Sequence, residues 1–420
     1  MRLKLFILAT ITGCIATLSP QAGLAATFSL VADGLDNPRG LSFGLDGALY
    51  VTEAGSGGTG ACLPSPNGSD LCYGTSGAVT KIQLSSGTQE RVLTNLPSLS
   101  AEGSSSFGAQ DIKFDANTGN PYVLLGYGAD PTLRDTVLLN ADLGKLVNAD
   151  FATNSWTTVA DLAGYEVANN PDHSDFGSNP TTFLLDGNQA VIADAGANAL
   201  LGANLDGSGL QAIATLPEQI VNNPVFPPSD SVPFDPTQVP NSDGSAPSEP
   251  LQIAIQPTPT GVAKGPDGAY YVSLFTGFPF PEGGAKVYRV DPDGETSVYA
   301  DGFTQLTDLE FDAQGNLYAL QYANQSAWKG NLDSSLIQIA PDGTRSTLVS
   351  GDGLEAASSL AVSPDGALYV SSEGEFPGGG KVWRVDNTKP VPEPASMLGI
   401  LAFGALGMGK LKNRRNSKSN

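Results

Sequence analysis

The chain has 420 residues, and its 50 Gly and 30 Pro against 15% charged residues favour strands and turns over long amphipathic helices. Its formal charge of −22 hides a split: residues 1–26 and 410–420 hold seven basic residues and no acid, which leaves about −29 on what lies between. A surface of that sign excludes nucleic acid and anionic lipid as partners.

Residues 1–26 read as a secretory signal peptide. Arg2 and Lys4 precede a mostly apolar stretch from Leu5 to Leu18, and Gly23 and Ala25 are the small residues a signal peptidase needs. The competing reading is a lipobox at Ile11-Thr12-Gly13-Cys14, which would put a lipid on Cys14. Cys62 and Cys72 lie close together in Gly/Pro/Ser-rich sequence, and in an exported protein such a pair is most simply a disulfide closing a small loop. Gly55-Ser56-Gly57-Gly58-Thr59-Gly60 satisfies a dinucleotide-binding pattern, but the prolines at 64 and 66 forbid the helix that pattern needs.

Residues 27–388 read as one body built on a repeat. A short apolar strand, a Gly turn and a second strand ending in small or acidic residues recur six times. The first copy is Gly40-Leu41-Ser42-Phe43 with Leu49-Tyr50-Val51-Thr52-Glu53, and the others begin near Ile112, Thr181, Gly261, Leu309 and Leu360. A third strand and usually a fourth follow, joined by Asp-Gly steps that supply the positive φ of tight hairpins. Four antiparallel strands per unit predict an all-β fold, a six-bladed β-propeller. The sixth unit has only three strands, while residues 28–32 form an unpaired strand ahead of the first. The count predicts closure of the ring by that N-terminal strand, which removes an exposed edge. Residues 218–259 are Pro-rich and read as an irregular excursion between the third and fourth blades.

In register, the repeats place Arg39, Glu53, Gln110, Asp111, Asn179, Asp194, Thr260, Asp308, Ser359 and Glu373 near one mouth of the central channel. Glu53, Asp194, Asp308 and Glu373 are a candidate oxygen set for a hard cation such as Ca²⁺. The alternative is that these carboxylates cap turns and stay solvated. His173, the only histidine, stands in a polar loop before the third blade and is a candidate for acid–base work there or a solvated loop residue. Asn198 closes Asp194-Ala195-Gly196-Ala197-Asn198, whose small residues admit a ligand or make a tight turn. No residue is assigned a catalytic role.

Residues 389–420 carry Val391-Pro392-Glu393-Pro394-Ala395-Ser396, an apolar run over 397–409 and a basic cluster. The order resembles the PEP-CTERM sorting signal. That resemblance implies processing by an exosortase-type peptidase, besides signal peptidase at the other end. It also implies a transient membrane contact and delivery to the periplasm, cell surface or extracellular matrix. An ordinary membrane anchor is the alternative, although the run is shorter than the roughly 20 residues of a free-standing span.

Several phrases of the body resemble the ScyD/ScyE family, exported cyanobacterial proteins associated with synthesis of the pigment scytonemin. They are Asn37-Pro38-Arg39-Gly40-Leu41, Cys72-Tyr73-Gly74, the stretch from Ala193 to Leu201, and Leu274-Phe275-Thr276-Gly277-Phe278-Pro279-Phe280-Pro281. The resemblance implies NHL-like blades and a binding or accessory role toward a small molecule or extracellular partner. Fold analogy alone suggests a second expectation, a lactonase-like propeller hydrolase with a channel cation.

Overall fold

The computed structural model describes residues 27–64, 69–101, 104–139, 142–174, 176–228, 251–374, 377–386 and 391–392. The expected signal peptide and nearly all of the expected sorting segment lie outside them. The repeat folds into six antiparallel blades. Their inner strands are Pro38–Phe43, Ala109–Phe114, Pro180–Asp186, Pro259–Lys264, Leu306–Phe311 and Ser359–Val362. Each inner strand packs against the next and the last against the first, so the ring is closed.

The second strand of a blade lies between two strands of its own sheet and between two neighbouring blades. Leu49–Glu53, Leu317–Gln321 and Leu368–Ser372 are therefore buried at every position. That explains the continuous apolar runs of the repeat. The turn ahead of them needs a residue with positive φ, and Gly268 and Gly366 supply it at φ 84°. The acid at this turn is held from within the blade: Tyr50 Oη donates to Asp46, Tyr271 Oη to Asp267 and Tyr318 Oη to Asp312. The core is distributed between blades. Fully buried Phe183 packs with Tyr122, Leu124, Ile192 and Leu201 across the seam of blades 2 and 3. Burial of a side chain that size stabilises by about 1.5–3 kcal/mol.

Closure is as expected, over a longer strand. Thr27–Leu35 is the outer strand of the sixth blade, antiparallel to Gly380–Asp386, with Phe28 opposite Val385 and Leu30 opposite Trp383. The Phe28 and Trp383 rings meet edge to face at 6.0 Å.

Blades 1–3 and blades 4–6 resemble one another. Gln110-Asp111-Ile112-Lys113-Phe114 of blade 2 matches Thr307-Asp308-Leu309-Glu310-Phe311 of blade 5, directly across the ring. In the blade before each acid stands a glycine, Gly40 and Gly261. A Cβ there would collide with Asp111 Oδ1 in the first case and lie 2.8 Å from Asp308 Cα in the second.

The excursion between the halves departs from the irregular reading at its base. Gln219–Asn222 and Gln252–Ile255 pair as a two-stranded ribbon, and residues 229–250 between them lie outside the described residues. Each strand is too short to announce itself in sequence, and pairing across some 30 residues leaves no local pattern. Cys62 and Cys72 face one another on adjacent strands of blade 1 and are joined in a disulfide.

Candidate functional site

In five of the six blades the inner strand carries a β-bulge at its start, where the register with the second strand slips by one residue. A bulge re-aims a side chain that strict alternation would turn away. Arg39, Gln110, Thr181, Thr260 and Thr307, the second residues of these strands, all line one cavity, and Ser358 completes the ring from just before the sixth. The cavity measures 460 Å³. Phe107, Phe275, Phe280 and Tyr322 give it aromatic walls, with Phe275 5.6 Å from both Phe280 and Tyr322 between ring centroids.

The hydroxyls of the ring also join the blades. Thr181 Oγ1 donates to Thr260 O at 2.8 Å, Thr260 Oγ1 to Leu306 O at 2.7 Å, Thr307 Oγ1 to Ala357 O at 3.1 Å, and Ser358 Oγ to Pro38 O at 2.9 Å. Each bond spans a seam between neighbouring blades. Arg39 donates to Gly374 O at 2.9 Å and Ser106 O at 3.2 Å. Asn179 also lines the cavity, and its Oδ1 is buried without a hydrogen-bond donor among the described residues.

Of the residues expected at the mouth, Arg39, Gln110, Asn179, Thr260 and Ser359 line this cavity and the carboxylates do not. Glu53 is fully buried inside blade 1. It accepts from Thr80 Oγ1 at 2.6 Å, from Asp36 N at 2.7 Å and from Arg91 Nη2 at 2.6 Å. Asp194 accepts from Asn179 N at 2.7 Å, Gly196 N at 3.0 Å, Ala197 N at 3.2 Å and Ser178 Oγ at 2.9 Å. Glu373 takes both of its bonds from Lys381 Nζ at 2.8 Å. Asp111 and Asp308 reach into the following blade, where Phe183 N at 3.1 Å and Leu360 N at 2.9 Å donate to them. Burial pushes the Asp194 and Asp308 carboxyls up despite these donors. Burial likewise pushes Asp111 up to about 6, against the pull of Lys113. The expected convergence of Glu53, Asp194, Asp308 and Glu373 on one cation is not what the geometry shows. Among the described residues no group of three His, Cys, Asp or Glu is placed to hold a metal ion. The physical reason is that buried Glu53, Asp194 and Asp308 are the acceptors for backbone N–H groups freed by turns and bulges, while Glu373 is paired with Lys381.

His173 is exposed and stands with Asn198 in a second cavity of 350 Å³, which shares no lining residue with the first. Asn198 Nδ2 donates to Asp172 Oδ2 at 2.8 Å and to Gln256 Oε1, and its Oδ1 accepts from Thr258 N at 3.1 Å. Beside this loop, Glu166 on the helix Leu162–Asn169 is 1% exposed, and the backbone N–H of Gly177 is the one donor that favours its charged form among the described residues. Burial, with Asp194 nearby, pushes it up to about 7. Thr181, Thr307, Ser358, Phe275, Phe280 and Tyr322 were missed in the sequence. The ring could have been found by aligning the residue two before each inner-strand apolar anchor, but the bulge that turns it inward has no sequence mark.

The PEP-CTERM protein-sorting motif matches residues 390–415, which marks an exported, surface-associated protein. Among the described residues no helix is long and apolar enough to cross a membrane. No curated protein matches the chain. Solved structures similar to it include a glucose dehydrogenase, at 16% identity over 86% of this chain and 99% of that one, with a TM-score of 0.47. A gluconolactonase from Xanthomonas campestris is 12% identical over 87% of this chain and 99% of that one, with a TM-score of 0.43. Virginiamycin B lyase from Staphylococcus aureus is 10% identical over 86% of this chain and 99% of that one, with a TM-score of 0.43. Likenesses this distant decide nothing about the chemistry of this chain.

Proposed function

We propose that the chain is an exported binding propeller of ScyD/ScyE type whose mouth cavity holds a small, uncharged organic molecule. One observation carries this reading. Among the described residues lining the cavity, Arg39 alone is charged, and hydroxyls, amides and aromatic rings make up the polar and apolar surface around it. A concave, mostly apolar pocket with a few fixed polar groups is the usual form of a small-molecule site. The described lining holds no carboxylate, imidazole or thiol, so its hydroxyls have no neighbouring base within it to activate them. That favours binding over the lactonase-like alternative. The phrases shared with the ScyD/ScyE family support a role linked to scytonemin or to the extracellular matrix, and the sorting motif supports delivery to the surface by an exosortase-type peptidase.

The test is a thermal-shift screen of neutral ring compounds against the full chain and a Thr260→Trp variant that fills the cavity. Compounds that bind at the mouth stabilise the wild type and leave the variant unmoved. Hits that stabilise both equally would place binding elsewhere. Turnover of a δ-lactone by the wild type, lost in the variant, would move the reading to an enzyme.

A further inference from the structure

The hydrogen-bond economy of the cavity narrows its ligand. A hydroxyl has one proton to donate and two lone pairs to offer. At Thr181, Thr260, Thr307 and Ser358 that proton is spent on a backbone carbonyl, three of the four bonds being 2.9 Å or shorter. What these groups keep for a guest is acceptor capacity. Asn179 lines the cavity too, with its Oδ1 shielded from solvent. Phe280, set edge to face against Phe275, stands in the same wall.

We infer that the ligand of the mouth cavity is a neutral ring with several O–H donors on its edge, a polyol or a polyphenol. The inference rests on the binding reading above and adds the chemical class. An aromatic wall takes the face of such a ring while the acceptor arc takes its edge. Along the hydroxyl arc an acceptor-only ring of the same shape would set oxygen against oxygen, and a site built to receive hydrogen bonds rejects analogues that lack them.

Two pairs of probes test it by titration calorimetry on the full chain. Catechol is set against 1,2-dimethoxybenzene, and methyl β-D-glucopyranoside against its permethylated form. One hydroxylated probe is expected to bind at least about tenfold more tightly than its methylated partner, and which one does so separates polyphenol from polyol. Thr307→Val, which removes one hydroxyl of the arc, should erase much of that preference. Thr260→Val should do the same while keeping the shape of the residue. If a methylated partner binds as tightly and Thr260→Trp still excludes it, this inference falls and the binding reading stands. If none of the four binds up to its solubility this inference also falls, and the binding reading falls with it only when the wider screen finds nothing.

Discussion

At the second position of the inner strands, Thr181, Thr260 and Thr307 face the mouth cavity. One residue further along, Asp111 and Asp308 turn into the next blade and receive the backbone N–H groups of Phe183 and Leu360. Both sets of side chains join blades, yet the hydroxyls and not the carboxylates are left at the surface where a guest arrives. A buried carboxylate must be surrounded by donors or give up its charge, so the fold consumes it. A hydroxyl satisfies the fold with its single proton and still has lone pairs to spare. The carboxylates of this repeat therefore hold the structure, and the hydroxyls are available for recognition.

Both kinds of seam presuppose a closed ring, so opening it should undo both. A chain lacking residues 27–35 exposes the edge of the strand Gly380–Asp386 and is expected to aggregate or to melt at least about 10 °C lower. An unchanged melting temperature would show that closure does not depend on this strand. Within the closed ring, Asp194→Ala strands four donors and should cost about 3–5 kcal/mol in denaturant unfolding. Unfolding at the wild-type denaturant concentration would break the carboxylate half of the comparison.

Glu166 sharpens it, because this buried carboxyl has only the Gly177 backbone N–H near it where Asp194 has four donors. Its value in the folded chain, about 7, lies above the ordinary 4.5, so ionisation is resisted by the fold. Its contribution is most favourable below pH 4.5, declines as the pH rises toward 7, and stays at its lowest above that. Glu166→Gln removes the penalty. The variant should gain on the wild type from nearly nothing at pH 4 to about 3 kcal/mol at pH 8, read from paired unfolding curves. A gain independent of pH would show that the carboxyl is not the titrating group. The smallest effect on stability is expected at the mouth. Thr307→Val should cost only about 1 kcal/mol, while weakening a hydroxylated ligand several-fold. A variant that loses stability but no affinity would return the hydroxyls to a purely structural role.

Much of the architecture was legible because a propeller writes itself in repeats. The six Gly turns, the apolar second strands and the missing fourth strand of the last unit all follow from local pattern and counting. The ribbon at Gln219–Asn222 and Gln252–Ile255 was not, since its partners are far apart and each is four residues long. The site was half legible. Arg39, Gln110, Asn179 and Thr260 lie where the register of the repeats puts them. Glu53, Asp194 and Glu373 occupy equivalent strand ends but bond inward, and His173 and Asn198 belong to a different cavity.

The sequence by itself determined the number of blades, the strand that closes them and the sorting motif at residues 390–415, because each is carried by contiguous residues whose chemistry acts locally. Only the tertiary structure decided which polar groups remain for a ligand. A bulge shifts side-chain direction by one residue without changing composition, and a carboxylate faces whichever donors the neighbouring blade happens to bring. Those donors are set by strands some 50 to 80 residues away, as Phe183 is from Asp111 and Leu360 from Asp308, and no local reading of the chain contains them.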